Sequence, residues 1–226
     1  MVLMAHPDDP EFFCGGTVAC WARAGSQVAY VIMTNGNKGS SVADMTSDRI
    51  TAIRQVEQRA AAARLGVQEV IFLDHNDGEL FPTLQLREDL VYQLRAYRPD
   101  AVICQDPTTY FVGDSRINHP DHRAAGEAVL AAVFPLARDR LNFPHHEANG
   151  LAPHAVQHVL VAGSVEPNYT VDISDVIELK IAAIHDHTSQ ISDPAAVATR
   201  IRERAMAVTA DGRTIYRESF RYIKLA

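Results

Sequence analysis

Short apolar segments alternate along this chain with longer segments that are apolar on one side only. The apolar segments at 2–5, 27–33, 70–73 and 101–104 predict strands. Apolar residues at helical spacing predict helices over 47–65 and 86–97. Two further helices are predicted: one is opened by Gly15 and Gly16 and closed by Gly25, and the other begins at His122. This alternation is typical of an α/β fold with a mostly parallel sheet and helices on both faces.

The pattern weakens after residue 135. Residues 138–155 are predicted to form a long loop, and residues 158–162 and 169–173 are expected to pair as strands. Ser174 is expected to cap a helix, which a helix over 194–207 and a final strand over 219–225 would follow. We interpret the chain as one domain over 1–226, in which 1–135 form the core and 136–226 form a smaller C-terminal lobe that shapes the substrate pocket.

Polar residues follow each of the predicted strands. His6 comes after the first strand, residues 34–39 after the second, residues 74–78 after the third and Gln105 after the fourth. Ligands bind beyond the carboxyl ends of the strands in sheets of this type. The sequence therefore predicts one functional site at this edge.

Two tight clusters of histidine and aspartate lie in these positions. Residues 5–9 read Ala-His-Pro-Asp-Asp, and residues 119–122 read His-Pro-Asp-His. Proline constrains the backbone in each turn. Imidazole nitrogen and carboxylate oxygen are ligands that zinc favours, and a catalytic zinc keeps one position open for water. His6, Asp9 and His122 are accordingly predicted to bind a divalent metal ion.

Two of the remaining polar residues of these clusters suit proton transfer. Asp8 would lie beside the metal and act as a general base on the attacking water. His119 would stabilise the tetrahedral oxyanion or protonate the leaving amine. Because a zinc-activated water attacks carbonyl groups, the set predicts hydrolysis of an amide or ester.

Composition narrows the classes of function. A hydrophobic share of 47% supports a sizeable core, and a net charge of −7 without a basic block argues against nucleic acid as a partner. No membrane span is expected, since no apolar run reaches about 18 residues. The three cysteines contain no CxxC pair, and a strand at the very start leaves no room for a signal peptide, so a reduced, cytoplasmic setting is expected.

These motifs resemble the LmbE-like, or PIG-L, family of zinc-dependent N-acetylglucosaminyl deacetylases. The family pattern Ala-His-Pro-Asp-Asp-x-Glu matches residues 5–11. The resemblance covers nearly the whole chain, and its other matches are Thr34-Asn35-Gly36, Lys38-Gly39, Arg54 with Glu57, Leu65-Gly66-Val67, Asp77-Gly78, Arg98-Pro99-Asp100, His119-Pro120-Asp121-His122, Val171-Asp172, and His187 with Ser189-Gln190.

The resemblance implies a Rossmann-like fold and one Zn²⁺ per chain on His6, Asp9 and His122. It implies that Asp8 is the base and that His119 is the acid or oxyanion partner. It also implies removal of acetyl from an N-acetylglucosamine conjugate, with Arg54 near the sugar hydroxyls, and a homo-oligomer such as a trimer or hexamer. The group attached to the sugar stays open, and iron(II) or cobalt could replace zinc at such ligands.

Several neighbouring residues are given supporting or structural roles. Glu11 is expected to orient a metal-binding histidine or to cap the following helix. His187 is expected near the pocket in a structural role, and Asp121 is interpreted as a turn or helix-cap residue. The histidines of segment 144–158 are interpreted as loop surface, and the function of this segment is left open; they are His145, His146, His154 and His158.

Three other functions remain as alternatives. The first is a metal-dependent amidase on a non-sugar or thiol-conjugate amide. The second is phosphoryl transfer, because paired aspartates with a divalent ion also serve that reaction, although two imidazole ligands weigh against magnesium. The third is a sugar-binding protein without catalysis.

Overall fold

Ten strands and seven helices follow one another in the computed structural model, which describes residues 1–226. The strands are β1 (Val2–Met4), β2 (Ala29–Thr34), β3 (Glu69–His75), β4 (Ala101–Gln105), β5 (Phe111–Val112), β6 (Arg116–Ile117), β7 (His158–Ala162), β8 (Tyr169–Asp172), β9 (Met206–Val208) and β10 (Thr214–Lys224). The helices are α1 (Asp9–Arg23), α2 (Ser47–Leu65), α3 (Leu84–Tyr97), α4 (Pro120–Ala131), α5 (Pro144–Ala148), α6 (Ile177–His185) and α7 (Pro194–Ala205).

The central sheet has the strand order β3-β2-β1-β4-β7-β10-β8, with β9 beside β10. Strands β3, β2, β1, β4 and β7 are parallel to their neighbours in this series. Strand β10 is antiparallel to β7, β8 and β9. Strands β5 and β6 form a separate hairpin. The predicted α/β fold with a mostly parallel sheet is therefore confirmed.

Two hydrophobic cores lie on opposite faces of this sheet, as the residues of β1 illustrate. Val2 and Met4 belong to a core of 25 buried residues that also contains residues of α1, α2, α6 and α7. Leu3 and Ala5 belong to a core of 23 buried residues with residues of α3 and α4. Successive side chains of a strand point to opposite faces, so β1 must be apolar throughout. Helices cover both faces, as predicted.

Two helices begin earlier than predicted. Helix α1 starts at Asp9 with Pro10 in its first turn and bends at Cys14 (φ −145°, ψ 15°), so the glycine pair lies inside the helix after the bend. Proline is favoured in the first turn because its missing N–H would have no partner there. Helix α4 starts at Pro120 for the same reason, with His119 as its N-cap.

The C-terminal strands pair differently from the prediction. Strands β7 and β8 do not pair with each other, because β10 lies between them and bonds to both. Strand β10 begins at Thr214 rather than at 219, and α7 ends at Ala205 because the chain continues into β9, which pairs with β10. The predicted loop over 138–155 contains the short helix α5. Residues after 135 thus extend the central sheet.

A buried carboxylate joins the C-terminal strand to the N-terminal helix. Glu218 of β10 accepts hydrogen bonds from the backbone N–H of Gly16 (2.9 Å) and Thr17 (2.7 Å), just after the bend of α1. Lys180 of α6 donates to the same carboxylate at 2.5 Å. A buried charge needs such partners, since an unpaired one is strongly destabilising. This contact fixes β10, α1 and α6 relative to one another.

Helix composition and cysteine state add two findings. None of the helices combines the length and the apolar character needed to cross a bilayer. All three cysteines are free thiols, and two of them are buried. The reduced, cytoplasmic setting stays a prediction.

We expect Gly16→Ala to destabilise the fold. A Cβ at this position would lie 2.7–2.8 Å from three side-chain atoms of Ile173, which is closer than carbon atoms approach. Overpacking of this kind costs about 1–3 kcal/mol, so the urea midpoint should fall. The matched control is Gly15→Ala, where the nearest atom would be 3.4 Å away and a helical alanine is favoured over glycine. Equal midpoints for the two variants would contradict this account of the α1 packing.

Candidate active site

The predicted site residues meet at the carboxyl edge of the parallel strands. His6 follows β1, Asp77 follows β3, and Gln105 ends β4. His119 and His122 lie at the N-terminal end of α4, which packs beside β1 and β4. The two histidine–aspartate clusters are therefore brought together, although more than a hundred residues separate them in sequence.

Three side chains converge as metal ligands would. His6 Nδ1 lies 3.2 Å from Asp9 Oδ2 and 3.2 Å from His122 Nε2. His122 Nε2 lies 3.1 Å from Asp9 Oδ1. Around a tetrahedral zinc ion with bonds of about 2.0–2.2 Å, neighbouring ligand atoms are about 3.3–3.6 Å apart. The three groups fit the donor set of zinc, as the sequence predicted for these residues, and the ion itself stays a prediction.

The other nitrogen of His6 faces two carboxylates. His6 Nε2 lies 3.1 Å from Asp121 Oδ2 and 3.2 Å from Asp77 Oδ1. Asp121 is fully buried and accepts hydrogen bonds from the backbone N–H of Gly78 (2.7 Å) and Leu80 (3.2 Å). The interpretation of Asp121 as a cap residue is therefore wrong. A carboxylate behind a metal-binding histidine fixes the ring and its tautomer, and here it leaves Nδ1 to face the ligand group.

Two amide side chains orient the remaining ligands. Asn118 Oδ1 lies 3.1 Å from His122 Nδ1 and so directs Nε2 towards Asp9. Gln105 donates from Nε2 to Asp9 Oδ2 at 2.9 Å and accepts from the backbone N–H of Ala5 at 3.0 Å. The sequence indicated Gln105 only as the residue after a predicted strand, and it indicated no role for Asn118.

Asp8 lies in a strained turn beside the ligands. Its backbone has φ 92° and ψ −31°, a region that residues other than glycine rarely adopt. Gln58 Oε1 accepts from the Asp8 N–H at 2.7 Å, and Arg54 donates to Pro7 O at 2.7 Å and to Asp8 Oδ2 at 3.2 Å. Strain of this kind persists where surrounding contacts hold it, and it clusters at functional sites.

The charge state of Asp8 suits proton transfer. Burial raises the pKa of its carboxyl to about 6, against the opposing effect of the Arg54 guanidinium. A base is most effective when its pKa lies near the working pH. The environment of Asp8 is therefore compatible with its predicted role as a general base.

His119 presents one defined nitrogen to the site. Its Nδ1 accepts from the backbone N–H of Asp121 at 3.2 Å, so the proton of the neutral ring is on Nε2. Burial and the adjacent His6 lower the pKa of His119, which keeps the ring neutral. A neutral N–H donor suits stabilisation of an oxyanion, the first of the two roles considered for this residue.

Glu11 and His187 form a buried pair at some remove from the ligands. Glu11 Oε2 lies 3.1 Å from His187 Nε2, and both side chains are inaccessible to solvent. Glu11 also accepts from Gln58 Nε2 at 3.1 Å. Glu11 does not orient a ligand histidine as expected, because Asp77 and Asp121 occupy that position. Through Gln58 the pair instead fixes the group that bonds to the Asp8 backbone.

Arg54 belongs to the site but is turned inward. It is 4% exposed, donates to Gly36 O at 3.2 Å and lies 3.8 Å from Asp77 Oδ2. These contacts join the loop after β2 to the turn that carries Asp8. The contact of Arg54 with sugar hydroxyls stays a prediction.

The four histidines of segment 144–158 lie outside the pocket that contains the ligands. His145 is exposed and pairs with Glu88 at 2.7 Å, as a surface histidine would. His146 is buried on α5, so its interpretation as loop surface is wrong. The half-buried His154 and His158 bond at 2.8 Å to Pro99 O and to the hydroxyl of Tyr222, respectively.

Comparison with known proteins identifies the family. The family model of PIG-L, described as GlcNAc-PI de-N-acetylase, matches residues 1–133. The chain is 36% identical over 193 residues to diacetylchitobiose deacetylase of Thermococcus kodakarensis, covering 83% of this chain and 68% of that protein. It is 27% identical over 225 residues to the probable N-acetyl-alpha-D-glucosaminyl L-malate deacetylase 2 of Bacillus anthracis, covering 97% and 92%.

A solved structure agrees with this result. The N,N'-diacetylchitobiose deacetylase from Pyrococcus horikoshii superposes with a TM-score of 0.84 at 31% identity, covering 99% of this chain and 83% of that one. The fold is that of the LmbE-like deacetylases, and the relatives are deacetylases of N-acetylglucosamine conjugates. The chain belongs to the PIG-L family, so the predicted family, fold and class of enzyme are confirmed.

We expect Asp121→Asn to weaken zinc binding without removing it. The variant loses the carboxylate charge behind His6, and changes of this kind typically cost about 10–100-fold in metal affinity. Competition with a chromophoric chelator measures the affinity. Asp172→Asn, at the exposed end of β8 where the side chain accepts from Ser174, is the control and should leave affinity unchanged. Full zinc binding by His122→Ala would contradict the ligand assignment itself.

Proposed function

We propose that this chain removes the acetyl group from an N-acetylglucosamine conjugate, using zinc bound by His6, Asp9 and His122. One observation carries the proposal: Asp8 and the Nε2–H of His119 flank a convergent set of three ligands in a chain whose relatives are deacetylases. Zinc held there would supply a Lewis acid that polarises the amide carbonyl and lowers the pKa of water. The imidazole groups of His6 and His122 favour zinc over magnesium as the bound ion.

The protein side chains supply the proton transfers and the charge stabilisation. Asp8 takes a proton from the water that attacks the acetyl carbonyl. His119 Nε2–H donates to the carbonyl oxygen as negative charge develops on it. The proton held by Asp8 is then available to the nitrogen when the C–N bond breaks. The products are acetate and the free amino sugar.

We further propose that residues after 135 shape the choice of substrate. A cavity of about 670 Å³ is lined by Asp9, His119 and His122 and also by Gly163 and residues of β10 and α7. Pockets that bury small-molecule ligands span about 300–1,000 Å³, so this cavity has room for more than the acetylated ring. The expected homo-oligomer, trimer or hexamer, stays a prediction that light scattering would measure.

Asp8→Asn should lower kcat for acetate release by about 10²–10⁴-fold, because the amide cannot accept a proton. Asparagine tolerates positive φ, so the turn of Asp8 should survive. The assay uses N,N'-diacetylchitobiose and an N-acetylglucosaminyl malate conjugate, with a phosphomonoester as the test of phosphoryl transfer. Zinc content should stay at the wild-type value. A variant with near-normal kcat would show that Asp8 is not the base.

His119→Asn should lower kcat by about 10²–10³-fold with little change in KM, because the shorter asparagine side chain cannot place its N–H where the Nε2–H of His119 donates to the developing oxyanion. Asparagine is a favoured N-cap residue, so helix α4 should begin as before. Steady-state kinetics and a thermal melt measure the two effects. The oxyanion role would be contradicted if the variant were unfolded at the assay temperature, which would account for its loss of activity. It would also be contradicted if the only kinetic change were an increase in KM.

A further inference from the structure

Four arginines line the cavity that contains the ligands. They come from three parts of the chain and line the same cavity as Asp9 and His122: Arg116 of the β5–β6 hairpin, Arg200 and Arg204 of α7, and Arg217 of β10. All four are exposed, and none forms an ion pair or a side-chain hydrogen bond within the chain. This positive cluster lies in a protein of net charge −7.

Helix α7 shows that the cluster is not a general feature of the surface. Arg200 and Arg204 both line the cavity and are one helical turn apart. Two like charges at this spacing destabilise a helix. Arg202, between them in sequence, is outside the cavity lining and forms two hydrogen bonds with Glu178, at 2.9 and 2.7 Å. The outward arginine has a carboxylate partner, and the two cavity arginines have none.

The carboxylates that line the same cavity are engaged elsewhere. Glu218 pairs with Lys180 at 2.5 Å, and Asp106 accepts from the backbone N–H of Thr108 at 2.7 Å. Asp193 accepts from the backbone N–H of Ala196 at the start of α7, at 2.9 Å. The remaining carboxylate, Asp9, belongs to the ligand group. None of them neutralises the arginines.

We propose that the unpaired arginines of the cavity form an anion subsite, and that the preferred substrate carries a carboxylate or phosphate on the group attached to N-acetylglucosamine. This inference rests on the proposed deacetylase function. Guanidinium groups bind both anions through paired N–H donors, and a local positive field inside a cleft also speeds the arrival of an anionic ligand. The acetyl end of the substrate would lie at the ligands and its anionic end at the arginines.

The experiment compares three synthetic N-acetylglucosaminides that differ in one group: phenyl, 4-carboxyphenyl and 4-phosphophenyl. The two anionic glycosides distinguish carboxylate from phosphate. For the wild type we expect a kcat/KM at least 10-fold higher for one or both anionic glycosides than for the neutral one, with the difference in KM. The double variant Arg200→Gln/Arg204→Gln should remove this preference and leave the neutral substrate unchanged. Arg202→Gln on the same helix is the matched control.

A binding measurement separates this inference from the proposed function. Calorimetric titration measures the affinity of the wild type and the double variant for the same glycosides. This affinity tests the subsite whether or not acetate is released. Tighter binding of an anionic glycoside that the double variant loses supports the subsite. Equal binding of neutral and anionic glycosides by the wild type overturns it, while acetate release would still support deacetylation. If the double variant fails to fold, Arg217→Gln on β10 takes its place.

Discussion

The orientation of one buried ring, His6, holds the site together. Its Nδ1 faces Asp9 and His122, and its Nε2 faces Asp77 and Asp121. Backbone N–H groups after β3 fix Asp121, so this ring joins β1, the loop after β3 and α4. A metal-binding imidazole almost always donates its other ring N–H to a partner that fixes its orientation, and the carboxylates provide that partner. A site built in this way depends on the parallel sheet that brings the three segments to one edge.

Helix α2 covers the sheet and also holds Asp8 in a backbone conformation that residues other than glycine rarely adopt. Gln58 and Arg54, one turn apart, bond to the backbone and side chain of this turn. Glu11 and His187 in turn fix Gln58. Glycine would adopt the turn more easily, but it has no carboxylate. The strain is therefore explained by the need for an acidic side chain at this point, supported from behind by buried polar contacts.

Local signals predicted the elements that depend on local interactions. Residues 47–65 form α2 as expected, because amphipathic spacing precedes Gly66, which ends the helix with φ 84°. The pairing of β8 was predicted wrongly, because its partner β10 comes some forty residues later and strand pairing at that distance leaves no local signal. The motif residues were found from ligand chemistry. The contact of Gln105 with Asp9 was not predicted, because the two residues are 96 positions apart in sequence and only the fold brings them together.

The family defines the reaction more closely than the substrate. Two relatives are named for substrates in which different groups are attached to the acetylated sugar. The attached group is a second amino sugar in one name and malate, a dicarboxylate, in the other. His6, Asp8 and Asp9 come from the turn after β1 and the start of α1, and His122 comes from α4. Three of the four cavity arginines come from α7 and β10. In the proposed function, selection of the acetyl group and selection of the attached group would therefore use different parts of the chain. Because α7 and β10 supply none of the ligands and neither Asp8 nor His119, their surface charges can change without moving the reacting groups.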